Sequence, residues 1–259
     1  MGNQTAHERL LTTDATNQSD EFNVMKTPPY CSFIIPAYNE ERRIEASLHK
    51  ARAYFAAQPY SSEILVVNDG SHDQTSSVVR TFPEVRLLEQ PRNMGKGAAV
   101  RRGMMEAQGT YRIFSDADFS TPITETARML ERLESGVQVC IGSRGVNKSL
   151  VKRHQPWYRE FLGNQFNVLI QALITPGITD TQCGFKGFSA AAAQEIFSRT
   201  KLDGFVFDVE ALYIARKCGY TIEELPVEWY NDADSRVRFR HSLQILREVF
   251  LIKRLHNHW

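Results

Sequence analysis

The sequence predicts an α/β fold, with a mostly parallel, twisted sheet and helices on both of its faces. Short apolar segments alternate with segments of helical periodicity along the first half of the 259-residue chain. The apolar segments hold few polar residues, which is typical of strands that are buried on both faces of a parallel sheet. Four of these strands end in polar residues, and ligands of such folds bind at the carboxyl ends of the strands.

Five strands are predicted first, in the order CSFIIPAY, EILVVNDGS, VRLLEQ, YRIFSDAD and VQVCIGSR. The helices between them are predicted over NEERRIEASLHKARAYFAA, HDQTSSVVRTF, a segment from about Lys96 to Gln108, and TPITETARMLERLES. The last of these helices is expected to begin at Thr121 and Pro122. The polar strand ends are PAYNE, NDGS, SDAD and GSR, and we expect them to meet at one edge of the sheet.

The pattern changes beyond about Gly145. A basic stretch, NKSLVKRHQPWYR, precedes an amphipathic helix predicted over roughly 159–174. Then follow DTQCGFKGFS, a helix around 190–199, the helix FVFDVEALYIARKCG, the strand TIEELPVEWY, the loop NDADSRVRF and a last helix, HSLQILREVFLIKRLH. We divide the chain into a disordered polar tail over 1–28, one domain over 29–238 and a C-terminal amphipathic helix over 239–259.

Composition argues against several classes of protein. The net charge of +1 provides no general attraction for nucleic acid. No run of 18 apolar residues is present, so we expect no transmembrane helix, and the start MGNQTAHERL lacks the apolar core of a secretory signal. Four scattered cysteines without CxxC spacing are expected to be reduced packing residues. A cytoplasmic protein follows from these features.

Two carboxylates, Asp116 and Asp118, follow a buried strand directly. Such a pair makes an oxygen-rich site that suits Mg²⁺ or Mn²⁺ shared with substrate phosphates. Alternatively, Asp118 caps the following helix and Asp116 is structural. Gly95-Lys96-Gly97 opens a helix that could hold phosphate through its backbone N–H groups. The segment is not a Walker loop, and the missing GxGxxG after the first strand disfavours a dinucleotide-binding fold.

Six motifs in this order, PAYNE, VVNDGS, NMGKG, SDAD, GSR and DTQCGFKGF, resemble the family 2 glycosyltransferases over about residues 31–253. Within that family the chain is similar to the polyprenyl-phosphate glycosyltransferases, first the dolichyl-phosphate β-glucosyltransferases and next the dolichyl-phosphate mannose synthases. The resemblance implies the GT-A type nucleotide-diphospho-sugar transferase fold. It also implies an inverting, metal-dependent transfer of a hexose to a polyprenyl phosphate. UDP-glucose is the expected donor, and GDP-mannose is the alternative.

The same resemblance assigns residues to roles. Asp116 and Asp118 would hold Mg²⁺ or Mn²⁺, Arg144 would face the acceptor phosphate, and Asp208 would orient the sugar or a basic residue, unless it is structural. Ser120 stands where mannose synthases often have Gln, which leaves the third metal ligand open. The nucleotide sugar would contact Pro36, Ala37, Tyr38, Glu40, Asp69, Lys96, Asp116 and Ala117. The acceptor phosphate would be met by basic residues among Lys152, Arg153, Arg159, Lys186 and Arg236, the last two on segments that close over the site.

Several alternatives stay open. A transferase acting on a sugar hydroxyl would need Asp208 as a base, and a non-catalytic nucleotide-sugar sensor would need no acceptor site. The basic stretch could be a solvated face, and the helix over 161–174 could be core. A lipid acceptor without a spanning segment predicts a peripheral protein on the cytoplasmic face of a membrane. The last helix either packs on the domain or meets that membrane, and Trp157 and Trp259 are packed residues or interfacial anchors.

Overall fold

The structure, a computed structural model, describes residues 27–153, 170–171, 174–230 and 242–257. The side chains of Lys148, Arg153 and residues 242–247 are not described. The predicted tail up to residue 26, most of the predicted helix over 159–174 and the loop over 231–239 lie outside the described residues. Four residues singled out from the sequence lie outside them too, namely Trp157, Arg159, Arg236 and Trp259.

A seven-stranded sheet forms the centre of the described part. Its strands are β1 (Cys31–Ala37), β2 (Ser62–Asn68), β3 (Val85–Glu89), β4 (Tyr111–Ser115), β5 (Val139–Ser143), β7 (Phe185–Ser189) and β8 (Ile222–Pro226). They lie in the order β3-β2-β1-β4-β7-β5-β8, and β6 (Val151–Arg153) pairs with β9 (Trp229–Tyr230) in a separate small sheet. Only β7 is antiparallel to its neighbours within the seven-stranded sheet. The predicted mostly parallel sheet is therefore confirmed.

Strand β7 is the feature of the sheet that the sequence did not predict. It enters between β4 and β5, antiparallel to both, so β4 and β5 still point the same way. Gly187 of this strand faces helix residues closely, because a Cβ there would lie 2.8 Å from Cγ of Met129. The carboxyl ends of β1, β2, β4 and β5 consequently share one edge of the sheet, as predicted.

Helices cover both faces of the sheet. They are α1 (Ile44–Ala56), α2 (Thr75–Val79), α3 (Lys96–Glu106), α4 (Glu125–Glu134), α5 (Ala190–Phe197), α6 (Phe207–Lys217) and α7 (Ser242–Leu255). Phe33 and Ile34 of β1 illustrate the two layers, because Phe33 packs with Leu48 of α1 and Ile34 belongs to the core on the other face, with Met104 of α3. The two core layers thus lie on opposite faces of the sheet.

Helix α4 begins at Glu125, and the predicted start at Thr121 and Pro122 is wrong. Residues 121–124 form turns instead, in which the amide of Glu125 donates to the carbonyl of Pro122 at 3.0 Å. The side chain of Asp118 accepts from the amide of Ser120 and so closes the turn before this segment. The SDAD motif therefore ends in a loop rather than in a helix cap.

Helix α7 packs on the domain through α6. Val249 and Ile252 are buried with Val206 and Val209 in a third apolar cluster. Nε2 of His256 lies 2.7 Å from Oε1 of the buried Glu210. Within the described residues, no helix is both long enough and apolar enough to cross a membrane. The cysteines are free, and Cys31, Cys140 and Cys183 are packed in the core.

Candidate active site

The polar strand ends do come together. Ala37 at the end of β1 pairs with Asn68 at the end of β2, and the amide of Asp69 donates to the carbonyl of Ala37 at 2.8 Å. Pro36 and Ala37 are buried within β1, and Ala117 is buried behind the second aspartate of SDAD. These three residues therefore shape the edge mainly through their backbone.

Asp116 lies against the first residue of α3. Its Oδ1 is 2.6 Å from Nζ of Lys96, and both side chains remain partly exposed. Burial disfavours the charged form of Lys96, but the carboxylates of Asp116, Asp208 and Asp118 outweigh that effect and raise its pKa. Lys96 is therefore a fixed cation in this cleft.

Asp118 completes an anionic pair with Asp116. Burial raises the pKa of Asp118, and the neighbouring charge of Asp116 adds to that effect, against the hydrogen bonds from Ser120. The next residue, Phe119, has a positive φ of 47°, which is a strained conformation for a residue with a side chain. A divalent cation would relieve the repulsion between the two carboxylates.

The donor set fits Mg²⁺ or Mn²⁺. Both ions prefer carboxylate oxygens and keep positions for water or substrate phosphate. Within the residues that the structure describes, no group of three His, Cys, Asp or Glu side chains could hold a metal. Asp116 and Asp118 would hold such an ion between them, and the other ligands would be water or phosphate oxygens.

Asp69 organises the loop that leads to Lys96. Its Oδ1 accepts from Nε2 of Gln90 at 2.8 Å and from the amide of Met94 at 2.7 Å, and its Oδ2 accepts from the amide of Gly95 at 2.9 Å. Burial raises the pKa of Asp69, although the two amide contacts act in the opposite direction. The structure thus gives Asp69 a loop-holding role, whereas the family resemblance assigned it to the nucleotide.

The amides of Gly95 and Gly97 both donate hydrogen bonds to other parts of the protein. The amide of Gly95 is taken by Asp69, and the amide of Gly97 donates to the carbonyl of Asp203 at 2.8 Å. Asp203 lies so close to the loop that a Cβ on Gly95, whose φ is 104°, would be 2.3 Å from the Asp203 carbonyl oxygen. The ammonium of Lys96 is the charged group that this helix start can offer to a phosphate.

The PAYNE segment borders a pocket. Tyr38 packs edge-on to His72, and Glu40 accepts two hydrogen bonds from Arg43, from Nε at 2.7 Å and from Nη2 at 2.8 Å. Arg43 also acts to lower the pKa of Asp118, so its charge reaches the aspartate pair. The pocket measures about 490 Å³ and is lined by Asn39, Glu40, Glu41, Arg42, Arg43, His72 and Asp73.

Arg144 at the end of β5 is held by Asp180. Nε donates to Asp180 Oδ2 at 2.6 Å, and Nη2 donates to Oδ1 at 2.8 Å. The guanidinium also lies 5.4 Å from the ring centroid of Trp229. Burial disfavours the charge of Arg144, but the pair with Asp180 raises its pKa, and the pKa of Asp180 is lowered in turn despite its burial. Asp180 opens the DTQCGFKGF motif, but its pairing with Arg144 was not predicted from the sequence.

Asp208 and Lys186 form a buried ion pair. Nζ of Lys186 lies 2.6 Å from Asp208 Oδ1 and donates to the carbonyl of Cys183 at 2.5 Å. Burial raises the pKa of Asp208, and the charges of Lys186 and Lys96 oppose that rise. Lys186 was expected on a closing segment, but it lies inside the central strand β7 because Asp208 compensates its charge there.

Among the remaining acceptor candidates, the structure describes the side chain of Lys152 alone. Lys152 is exposed, and its Nζ donates to the carbonyl of Ser149 at 3.5 Å. Arg153 belongs to β6, next to Tyr230 of β9. Arg159 and Arg236 lie outside the described residues. The structure thus brings together Asp116, Asp118 and Lys96, sets Arg144 at the end of β5, and buries Lys186 with Asp208.

Comparisons with known proteins agree with this arrangement. Residues 32–197 match the family model described as "Glycosyl transferase family 2". A dolichyl-phosphate beta-glucosyltransferase of Trichomonas vaginalis is 37% identical over 237 residues, which cover 86% of this chain and 70% of that protein. The human protein of the same name is 32% identical over 244 residues, covering 86% of this chain and 74% of its own length.

Solved structures show the same fold at low sequence identity. Mannosyl-3-phosphoglycerate synthase from Rubrobacter xylanophilus has a TM-score of 0.67 at 17% identity, over 89% of this chain and 76% of its own. A second similar structure is glucosyl-3-phosphoglycerate synthase from Mycobacterium tuberculosis in complex with Mn²⁺, UDP and phosphoglyceric acid. Its TM-score is 0.66 at 18% identity, and the match covers 88% of this chain and 79% of that chain. The predicted GT-A fold and glycosyltransferase class are confirmed, and the chain belongs to glycosyl transferase family 2.

Proposed function

We propose that this chain is an inverting glucosyltransferase that moves glucose from UDP-glucose to a dolichyl-type polyprenyl phosphate. The observation that carries the proposal is the shared name of the two relatives, which match most of this chain. The site supports it, because one edge of the sheet carries a carboxylate pair for a metal, a lysine beside that pair and a separately held arginine. A transferase that moves a sugar from a nucleoside diphosphate to a lipid phosphate must hold two anions, and two separate positive centres suit that task.

The metal belongs on the donor side of the site. Asp116 and Asp118 would hold Mg²⁺ or Mn²⁺, which when bound supplies positive charge to the diphosphate of the nucleotide sugar. Lys96, which lies 2.6 Å from Asp116, adds a second positive charge at the same place. The ammonium of Lys96 would stabilise the nucleoside diphosphate as it departs, and a bound metal ion would add to that positive charge.

The bond changes need little proton transfer. An oxygen of the lipid phosphate attacks the anomeric carbon of an α-linked glucose, and the bond from that carbon to the diphosphate oxygen breaks. The attack comes from the opposite face, so the product is β-linked. Because the phosphate is already ionised near neutral pH, a strong general base is not required. Asp208, held in its ion pair with Lys186, then serves to orient a basic residue.

Arg144 suits the acceptor phosphate. Its side chain keeps 28% of its surface exposed while Asp180 holds one edge of the guanidinium. A planar guanidinium can bind a phosphate through the N–H groups that remain. The acceptor would thus be held by a cation that is distinct from the metal and Lys96.

The acceptor is a lipid, so we place the protein peripherally on the cytoplasmic face of a membrane. Helix α7 offers a surface for this contact, because Phe250 and Leu251 are exposed while Val249 and Ile252 are buried. Lys253 and Arg254 are exposed on the same helix. Apolar side chains flanked by basic ones are typical of helices that lie on an anionic bilayer.

A donor screen tests the reaction. The protein is incubated with a short polyprenyl phosphate, Mg²⁺ or Mn²⁺, and one of UDP-glucose, UDP-N-acetylglucosamine, UDP-galactose or GDP-mannose. Mass spectrometry of the lipid should detect a hexosyl phosphate from UDP-glucose. Asp118→Asn should remove the product, while Glu84→Gln, which changes an exposed carboxylate just before β3, should leave it unchanged.

Each other result of the screen has a definite meaning. If product forms from GDP-mannose alone, the protein transfers mannose and not glucose. No lipid product from any donor would overturn the lipid acceptor.

The membrane contact is tested by sedimentation with vesicles of neutral or anionic lipid. Binding to anionic vesicles should fall in Phe250→Ser/Leu251→Ser, and equal binding by this variant would refute the role of α7.

A further inference from the structure

Arg144 is fixed from two sides by residues to which no role has been given. Asp180 accepts three hydrogen bonds from it, from Nε at 2.6 Å, from Nη2 at 2.8 Å and from the backbone amide at 3.0 Å. Trp229 presents its ring to the guanidinium, with 5.4 Å between the guanidinium carbon and the ring centroid. An ordinary arginine side chain has four freely rotating bonds, and these contacts hold this one in a single orientation.

The carboxylate that holds Arg144 is itself anchored to the sheet. The amides of Thr179 and Asp180 both donate to the carboxylate of Glu224 on β8, at 2.8 Å and 3.0 Å. Asp180 is almost completely buried, so its carboxylate cannot swing out to solvent. Strand β8 pairs directly with β5, the strand that ends one residue before Arg144.

The ring that faces Arg144 is anchored to the metal side of the site. Trp229 belongs to β9, and the amide of the next residue, Tyr230, donates to the carbonyl of Ser120 at 2.8 Å. Ser120 lies two residues beyond Asp118. The other neighbour of β9 is β6, in which Val151 pairs with Trp229. Strand β9 thus links the loop that follows the aspartate pair to strand β6.

One edge of the guanidinium is left for a ligand. Nη1 of Arg144 donates no hydrogen bond to any of the residues that the structure describes, and the side chain is 28% exposed. A guanidinium has five N–H donors in a fixed plane, of which Asp180 uses two. The remaining donors match the spacing of two phosphate oxygens.

Building on the proposed function, we propose that Asp180 and Trp229 are positioning residues that aim Arg144 at the phosphomonoester of the acceptor lipid. Their effect is to pre-orient the cation, so that binding of the acceptor does not have to order a mobile side chain. Loss of either residue should therefore weaken acceptor binding, while the donor, held at the aspartate pair, is little affected.

The test separates the two substrates. KM for a short polyprenyl phosphate and for UDP-glucose, and kcat, are measured for Trp229→Leu, Trp229→Phe and Asp180→Asn. In Trp229→Leu, loss of the cation–π contact should raise the acceptor KM about 3- to 30-fold. In Trp229→Phe, which keeps an aromatic face, the rise should be smaller. KM for UDP-glucose should stay within about twofold in both variants.

A double-variant cycle tests whether Trp229 acts through Arg144. In the Arg144→Lys background the planar guanidinium is gone, so adding Trp229→Leu should change the acceptor KM little further. A full additional effect of Trp229→Leu in that background would mean that Trp229 contacts the lipid directly, and the positioning role would be wrong. Tyr213→Leu is the matched control, because it removes the ring of another cation–π pair, with Lys217.

Two further measurements keep the outcomes distinct. Melting temperatures identify variants that lose structure. If Trp229→Leu loses structure, the acceptor KM of Trp229→Phe tests the positioning role of Trp229. Calorimetric binding of the same polyprenyl phosphate without donor tests Arg144 even if no transfer occurs. If the wild-type protein binds the lipid but transfers no sugar, and Trp229→Leu weakens this binding, the proposed reaction is wrong and the positioning role of Trp229 stands. Unchanged acceptor binding and KM in both Trp229→Leu and Asp180→Asn would overturn the inference.

Discussion

At the residue scale, the carboxylate of Asp116 is enclosed by two neighbours that leave it little freedom. Lys96 contacts Oδ1 at 2.6 Å, and Gly184 approaches so closely that an added Cβ would lie 2.0 Å from Oδ2. The carbonyl of Gly184 also accepts from the amide of Asp116 at 2.9 Å. Glycine in DTQCGFK is thus required by the space that Asp116 occupies, although the two residues are distant in sequence.

Gly184→Ala should displace the carboxylate of Asp116 and weaken metal binding. Because an added methyl group has no space beside Oδ2, we expect roughly a 10- to 100-fold loss of metal affinity, measured by titrating Mn²⁺ against activity or nucleotide binding. Gly136→Ala is the control, since Gly136 has a positive φ of 99° but no atoms near the added Cβ. That change should cost roughly 1–2 kcal/mol of stability and leave metal affinity intact. Equal metal affinity in Gly184→Ala and the wild type would refute the steric argument.

Asp208 separates two mechanisms that the sequence left open. It is buried and paired with Lys186, which suits orientation of a basic residue better than proton abstraction from a hydroxyl. Asp208→Asn should therefore keep measurable lipid-phosphate glucosylation, with kcat reduced less than the loss of about 100- to 10,000-fold expected for removing a general base. Steady-state kinetics with the short polyprenyl phosphate measures this. Complete loss of turnover in a folded Asp208→Asn protein would instead favour an acceptor hydroxyl and a catalytic base.

At the element scale, the same ion pair joins strand β7 to helix α6. Lys186 and Asp208 are both almost fully buried, and the ring of Phe114 from β4 lies 5.4 Å from the ammonium. Such a pair compensates two charges that would each be costly alone, but it adds little net stability compared with apolar side chains of similar size. We therefore expect the ion pair to contribute to the function of the site and not to the stability of the fold.

This view predicts different stabilities for single and double variants. Asp208→Leu should destabilise the protein by about 3–5 kcal/mol, because it leaves Lys186 charged and buried. Lys186→Met/Asp208→Leu should recover most of that loss, as measured by urea unfolding, while its activity stays low. If the double variant is no more stable than Asp208→Leu alone, the pair is part of what holds β7 in the sheet.

At the scale of the whole molecule, the sequence was sufficient for five parallel strands of the sheet but not for β7, which lies between two of them. Apolar runs with polar ends identified β1 to β5 and their common edge, because burial on both faces leaves a local signal. Strand β7 gave no such signal, since FKGFS carries a buried lysine and a glycine. Its lysine is acceptable only because of Asp208, 22 residues later in the chain.

The contacts of the site show the same limit. SDAD predicted the carboxylate pair from two neighbouring residues, whereas Asp180 and Arg144 are 36 residues apart and no local pattern joins them. The helix start at Lys96 also depends on a contact that is distant in sequence. Its amides looked available to a phosphate, but the carbonyl of Asp203, from a loop far along the chain, accepts the hydrogen bond from Gly97. Distant partners of this kind appear only once the fold is known.

Because one edge of the sheet gathers the donor site, donor binding should stabilise the whole domain, and only when a metal is present. UDP with Mn²⁺ at about 100 times its Kd should raise the melting temperature by roughly 5–10 °C for a chain of this size. A chelator should abolish the shift, and so should Asp118→Asn, because Asp116 alone would hold the ion poorly. In Glu84→Gln, which changes a residue far from this edge, UDP with Mn²⁺ should raise the melting temperature as much as in the wild type. An equal shift with UDP and chelator would mean that the nucleotide is held without a metal, and Asp116 and Asp118 would then need another role.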